Sequence, residues 1–194
     1  MGAYSDTLRL SMFFFLLFTP FSSFMTILSH IYEDAGLPGI GPATLATNYT
    51  TFIISTFCAP ALKLPIKIQF LFGAVFYTIN YSSGILVSFV DTPWLKFFIS
   101  CAGAFIAGLS GGPLWVSQGR FIHLSCVKNK EVDKKGKMFG FFTTFYCFSN
   151  VSAGLLTTYA LGFFDTRIYF CSIAACGVIS ILFCIFFIPN IDNT

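Results

Sequence analysis

The chain has 194 residues, of which 56% are hydrophobic and only 10% charged, and its mean hydropathy is +0.79. A soluble domain averages about 25% charged residues, so this composition excludes an ordinary water-covered globule. A membrane-spanning helix takes about 20 apolar residues. Six spans with short connections therefore use the whole length and leave no room for a separate water-exposed catalytic domain. The net charge of +3 is mild, and no aromatic-interleaved basic stripe or nucleic-acid motif accompanies it.

In chain order, residues 1–9 are expected to precede the membrane, and the first span covers about 10–32. It holds Pro20, which membrane helices tolerate when neighbours re-satisfy the freed carbonyl. Asp6 stands where a myristoylation signal wants Ser or Thr. The first apolar run is too long for a signal-peptide core, so it reads as a retained helix. Gly36, Pro38, Gly39, Gly41 and Pro42 then break the chain. A second span is expected at 43–62 and a third at 66–90, separated by Lys63-Leu64-Pro65. A fourth runs over 94–122. A basic loop, 123–137, contains five cations from Lys128 to Lys137. The fifth and sixth spans are expected at 138–163 and 168–188, closing a six-helix domain over 10–189 and leaving 190–194 as a tail. Runs of this length without a period of two argue against transmembrane β-strands.

With six spans, both termini and the loops after spans two and four fall on one side. Arg9, Lys63, Lys67, Arg120, Lys128, Lys130, Lys134, Lys135 and Lys137 lie there, against Lys96 and Arg167 on the other. Excess Lys and Arg in short loops marks the cytoplasmic face, so both ends are expected on the cytosol-like side.

Span four is the richest in small residues. Ala104, Gly108 and Gly112 form one row, and Gly103, Ala107 and Gly111 a second. Small residues four apart let helix backbones approach closely in lipid, so both rows and nearby Trp115 are expected to serve packing. The candidate polar or pathway residues are Asn80 in span three, Gln118 and Arg120 at the inner end of span four, and Asn150 in span five. No Asp, Glu, Lys or Arg lies mid-span, which argues against a proton relay. His30 and His123 read as polar tips near span ends. The glycosylation triplets at Asn48, Asn80 and Asn150 read as chance. The seven cysteines form no CxxC pair and have no His at ligand spacing, so they read as small hydrophobes, with neither metal nor cofactor expected. No catalytic motif is present, and an enzyme is not expected.

The segment Gly108-Leu-Ser-Gly-Gly-Pro-Leu-Trp-Val-Ser-Gln-Gly-Arg-Phe-Ile122 resembles the fourth span of the uncoordinated-93 family of the major facilitator superfamily. Phe13–Phe18, Leu37-Pro-Gly-Ile-Gly41, Phe57-Cys-Ala-Pro60 and Lys137-Met-Phe-Gly-Phe-Phe142 followed by Phe148-Ser-Asn150 support it. The resemblance implies an all-α membrane protein, a six-helix bundle like the amino-terminal half of a major-facilitator fold. Family members have about twelve spans. Their first-span Asn and Gln cluster is replaced here by Phe18-Thr-Pro-Phe-Ser-Ser-Phe24, and the connector Lys63–Lys67 lacks the superfamily's loop motif. The resemblance therefore implies a membrane-embedded accessory or regulatory subunit. The alternative is a solute or ion transporter assembled from two halves. Membrane lipids are expected partners, with a second copy or another membrane subunit covering the open face of the half-bundle.

Overall fold

A computed structural model describes residues 2–34, 39–163 and 165–191. The break at 36–38 and most of the tail after 190 lie outside the described residues, as do Leu37 and Pro38 of the quoted motif. Six long helices account for nearly all the rest, and no strand occurs among the described residues: α1 (Ala3–Asp34), α2 (Ile40–Cys58), α3 (Ile66–Val87), α4 (Pro93–Lys128), α5 (Lys135–Phe163) and α6 (Thr166–Phe187).

Local chemistry explains the boundaries. Pro93 sits in the first turn of α4, where its missing N–H costs nothing. The helix ends in a Schellman motif. Lys130 takes a left-handed φ of 56°. Its N–H donates to the Val127 carbonyl (3.1 Å), and that of Glu131 to Cys126 (2.9 Å). Asp165 caps α6, its Oδ1 accepting from the Arg167 N–H at 3.0 Å. The basic loop is consequently shorter than the sequence suggests. Helix α4 runs on through Lys128, a short 3-10 turn covers Val132–Lys134, and α5 starts at Lys135.

By length and composition, four of these helices are apolar enough to cross a membrane: those over Ala3–Leu28, Ile66–Val87, Pro93–Lys128 and Arg167–Phe187. The sequence alone predicts six spans. Helices α2 and α5 fall short because hydroxyl and amide side chains (Thr44, Asn48, Thr51 and Ser55; Ser149, Asn150 and Ser152) dilute their apolar runs.

Helix α4 is wedged between α2 and α3, while α1 packs chiefly on α5 and α6, and α6 also packs on α3. Exchanging helices α1–α3 with α4–α6 in order maps the main pairs onto one another. Pair α1·α5 becomes α4·α2, α3·α4 becomes α6·α1, and α3·α6 maps onto itself.

The core is aromatic. Trp115 holds Tyr146 edge-on at 4.9 Å between ring centres and Phe14 edge-on at 5.3 Å, with Phe18 tilted against it at 5.4 Å. Edge-to-face pairs of this kind add about 0.5–1.5 kcal/mol each beyond the area they bury. Away from this core the large apolar side chains point outward. Phe57, Phe98, Phe148, Val178 and Phe186 are all exposed, as suits helices whose outer surface meets lipid. The cysteines divide the same way. All seven are free thiols, only Cys126 and Cys184 are buried, and Cys58, Cys147 and Cys171 are exposed. An apolar run does not separate a lipid-facing from a protein-facing thiol.

Candidate functional site

The α2–α4 seam is where the small-residue rows act. A Cβ added at Gly108 would collide with Thr51 and the Asn48 carbonyl, and one at Gly112 with the backbone of Ser55 and Thr56. With that space open, side chains of α2 reach the backbone of α4. Asn48 Nδ2 donates to the Ala104 carbonyl at 3.1 Å, and Ser55 Oγ to that of Gly108 at 2.8 Å. Ser55 Oγ also accepts from the Gly112 N–H at 3.1 Å, so this hydroxyl is inserted beside Pro113. Asn48, Thr51 and Ser55 were missed at the sequence level, where Asn48 read only as a chance triplet near a span end. Their signal was the Thr44, Asn48, Thr51, Ser55 spacing, one helix face, all buried. The second row splits. Gly103 faces Asn80 Oδ1 and Ser83 Oγ of α3, Gly111 faces the Phe52 ring and the Tyr77 hydroxyl, and Ala107 is fully buried.

The four polar candidates do not converge on one point. Asn80 is fully buried between α3 and α4, and neither Nδ2 nor Oδ1 finds a hydrogen-bond partner among the described residues. Gln118 is buried, and among the described residues its Nε2 and the Oγ of neighbouring Ser117 find no partner. Arg120 points the other way, into a cavity beneath the α2–α3 connector. Asn150 is exposed on α5, where Oδ1 accepts from Ser22 of α1 at 2.8 Å.

Around Asn150 five helices build one wall. Tyr146 lies one turn before it and stacks edge-on against Trp115. Phe21 of α1 meets Tyr77 edge-on at 4.7 Å. Tyr49 of α2 is 60% exposed and within electrostatic range of the Tyr77 and Tyr146 hydroxyls. Farther along, a cleft between α1 and α2 holds His30 and Glu33 at its mouth, with Met25, Thr26 and Leu45. Behind the wall, Ser23 Oγ is hydrogen-bonded to Thr157 Oγ1 (2.7 Å) and the Tyr169 hydroxyl (2.6 Å), locking α1 to α5 and α6.

The two ends of the bundle differ in charge. At one end Asp6 accepts from Ser125 Oγ at 2.9 Å, Glu131 Oε2 accepts from the Ala3 N–H at 3.2 Å, and Lys67 Nζ donates to the Ile185 carbonyl at 2.8 Å. These contacts gather the start of α1, the end of α4, the start of α3 and the end of α6. At the opposite end the Tyr32 hydroxyl bonds Ser100, and Arg167 lies 4.7 Å from the centre of the Phe89 ring. Nine cations belong to the first end, and Lys96 and Arg167 to the second. No group of three or more metal-ligating side chains occurs among the described residues.

These features define a multi-pass helical membrane protein with one polar-aromatic wall. More particularly, the chain resembles the uncoordinated-93 family. It is 26% identical to "Protein unc-93 homolog A" of Mus musculus over 165 residues, 81% of this chain and 34% of that protein. The Xenopus laevis protein of the same name is 27% identical over 168 residues, 81% and 34% of the two chains. The Bos taurus one is 26% identical over 174 residues, 86% and 36%. The chain thus spans about a third of the length of the curated relatives it matches. No protein-family profile matches it, and no solved structure does.

Proposed function

We propose that this chain is a non-enzymatic accessory subunit of a larger membrane assembly, built as six spans in the manner of the amino-terminal half of a major-facilitator fold. The wall formed by Tyr49, Trp115, Tyr146 and Asn150 docks against another membrane protein. The observation that carries this is the exposed Asn150 amide among aromatic rings. Its carbonyl oxygen accepts from Ser22, while its NH2 group makes one long 3.4 Å contact to the Tyr146 carbonyl. In hydrocarbon an unsatisfied amide hydrogen is costly, and polar groups at membrane depth face protein or a water-filled cavity. The pairing pattern supports the half-bundle reading, because three-plus-three repeats are nested in each half of major-facilitator transporters. Counting α2 and α5 as spans is part of this reading: Asn48 and Ser55 of α2 bond to the α4 backbone, and Thr157 of α5 bonds to Ser23 of α1. The nine-cation end is placed in the cytosol by the positive-inside rule.

The test is photocrosslinking in native membranes from a probe at Tyr49, with Val178 on the outer face of α6 as the reference position. The Tyr49 probe should capture a second membrane polypeptide, and the Val178 probe lipid. Solute flux through the purified chain alone in liposomes would overturn the proposal, as would equal lipid labelling at both positions.

A further inference from the structure

Under the α2–α3 connector, at the nine-cation end, lies a cavity of about 520 Å³. Lys63 of the connector and Arg120 of α4 line it, over a floor of Pro60, Pro65 and Val116. Neither cation has an acidic partner among the described residues, whose single ion pair joins Lys134 to Glu131. Asp6 and Glu131, the buried and half-buried acids of this end, are occupied by Ser125, Lys134 and the Ala3 N–H. Among the described residues, therefore, no acid neutralises these two cations.

The remaining walls, Leu62 and Leu64, also line a second cavity of about 270 Å³, which continues between α3 and α4 past Phe72, Phe76 and Leu109. A charged mouth thus lies beside an apolar slot, with Leu62 and Leu64 as their shared wall. The connector between them is held in place. Pro60 and Pro65 fix its φ angles, the Leu62 N–H donates to the Ala59 carbonyl at 3.1 Å, and Gln69 Nε2 donates to the Leu64 carbonyl at 2.8 Å. Gln69 is buried in the slot wall, and its Oε1 has no partner among the described residues. That oxygen offers an acceptor to a water or hydroxyl entering the slot.

We propose that this composite site binds an anionic phospholipid, with the phosphate between Lys63 and Arg120 and one acyl chain in the α3–α4 slot. Guanidinium presents a planar fork of donors that matches phosphate oxygens, and lysine adds a mobile point charge. Basic pockets between helices on the cytoplasmic side suit negatively charged headgroups. The adjoining slot is what separates a lipid from free phosphate, because inorganic phosphate leaves it empty.

The experiment uses the full chain in mild detergent, titrated with phosphatidylglycerol, with phosphatidylcholine of the same acyl chains, and with inorganic phosphate. Bound lipid is counted by native mass spectrometry. Phosphatidylglycerol should be retained in preference to the other two. The Lys63→Gln/Arg120→Gln double variant should bind it about 30-fold more weakly, two cations at about 1 kcal/mol each. Leu109→Trp, which fills the slot, should weaken the lipid and leave inorganic phosphate unchanged. On the unmodified chain, raising salt should lower phosphatidylglycerol affinity, a measurement that holds even where a variant fails to fold. Equal retention of phosphatidylcholine, retention of inorganic phosphate matching that of the lipid, or salt-independent binding would each overturn the proposal.

Discussion

Gly112→Ala tests the α2–α4 seam most directly. The new methyl meets the Ser55 carbonyl carbon and the Thr56 nitrogen, which are backbone atoms and cannot rotate away as a side chain would. The helices must therefore separate, and overpacking of this kind costs about 1–3 kcal/mol. Separation also stretches the Asn48–Ala104, Ser55–Gly108 and Gly112–Ser55 hydrogen bonds. Interhelical hydrogen bonds in membranes average about 0.6 kcal/mol, so three add about 2 kcal/mol and the whole loss is about 3–5 kcal/mol. The control is Gly119→Ala, on the same helix, where an added Cβ meets nothing within 4 Å. Alanine there should stabilise by up to about 1 kcal/mol through helix propensity. Unfolding in mixed micelles by added dodecyl sulfate, followed by circular dichroism, measures both. Equal midpoints for the two variants would refute the close approach of α2 and α4.

Asn80→Leu removes an amide that is buried with no partner among the described residues, and an unmet buried polar group costs about 1–3 kcal/mol. The variant should be at least as stable as the parent in the same assay, and a loss above about 1 kcal/mol would show that the amide is partnered in the membrane. The Lys134 hydrogen bond first, and the Ala3 N–H second, hold the Glu131 carboxyl below its ordinary range, while Glu131 raises Lys134. A depressed carboxylate stabilises above its unfolded pKa, and that contribution disappears as pH falls through the folded value. Glu131→Gln should therefore speed hydrogen exchange at the start of α1 at neutral pH and change little in acid. An effect of the same size at both pH values would contradict the assignment.

Much of the protein was legible in its sequence. Composition set the solvent, since a chain so poor in charge cannot cover itself with polar surface. Runs of apolar residues marked out six long helices. The rows of small residues identified the helix that packs most closely. Each of these is a local property, read from neighbours along the chain. What lay beyond reach depended on which face meets which. Ser55 and Asn48 are ordinary polar residues in α2 until Gly108 and Gly112 bring α4 within hydrogen-bonding distance. Gln118 and Arg120, two residues apart, point in different directions because successive helical positions turn about 100° each, so one is buried and the other exposed.

Residue order along the chain is enough to specify a membrane-embedded helical bundle and the gathering of its positive charge into particular connections. Helix packing is what puts Asn80, Gln118, Arg120 and Asn150 in separate surroundings and brings Lys63 and Arg120, 57 positions apart in the chain, to one cavity. The reason is physical. Hydrophobicity tells a helix to enter the membrane. In a solvent as apolar as its own side chains, close packing and hydrogen bonding between specific faces decide its neighbours.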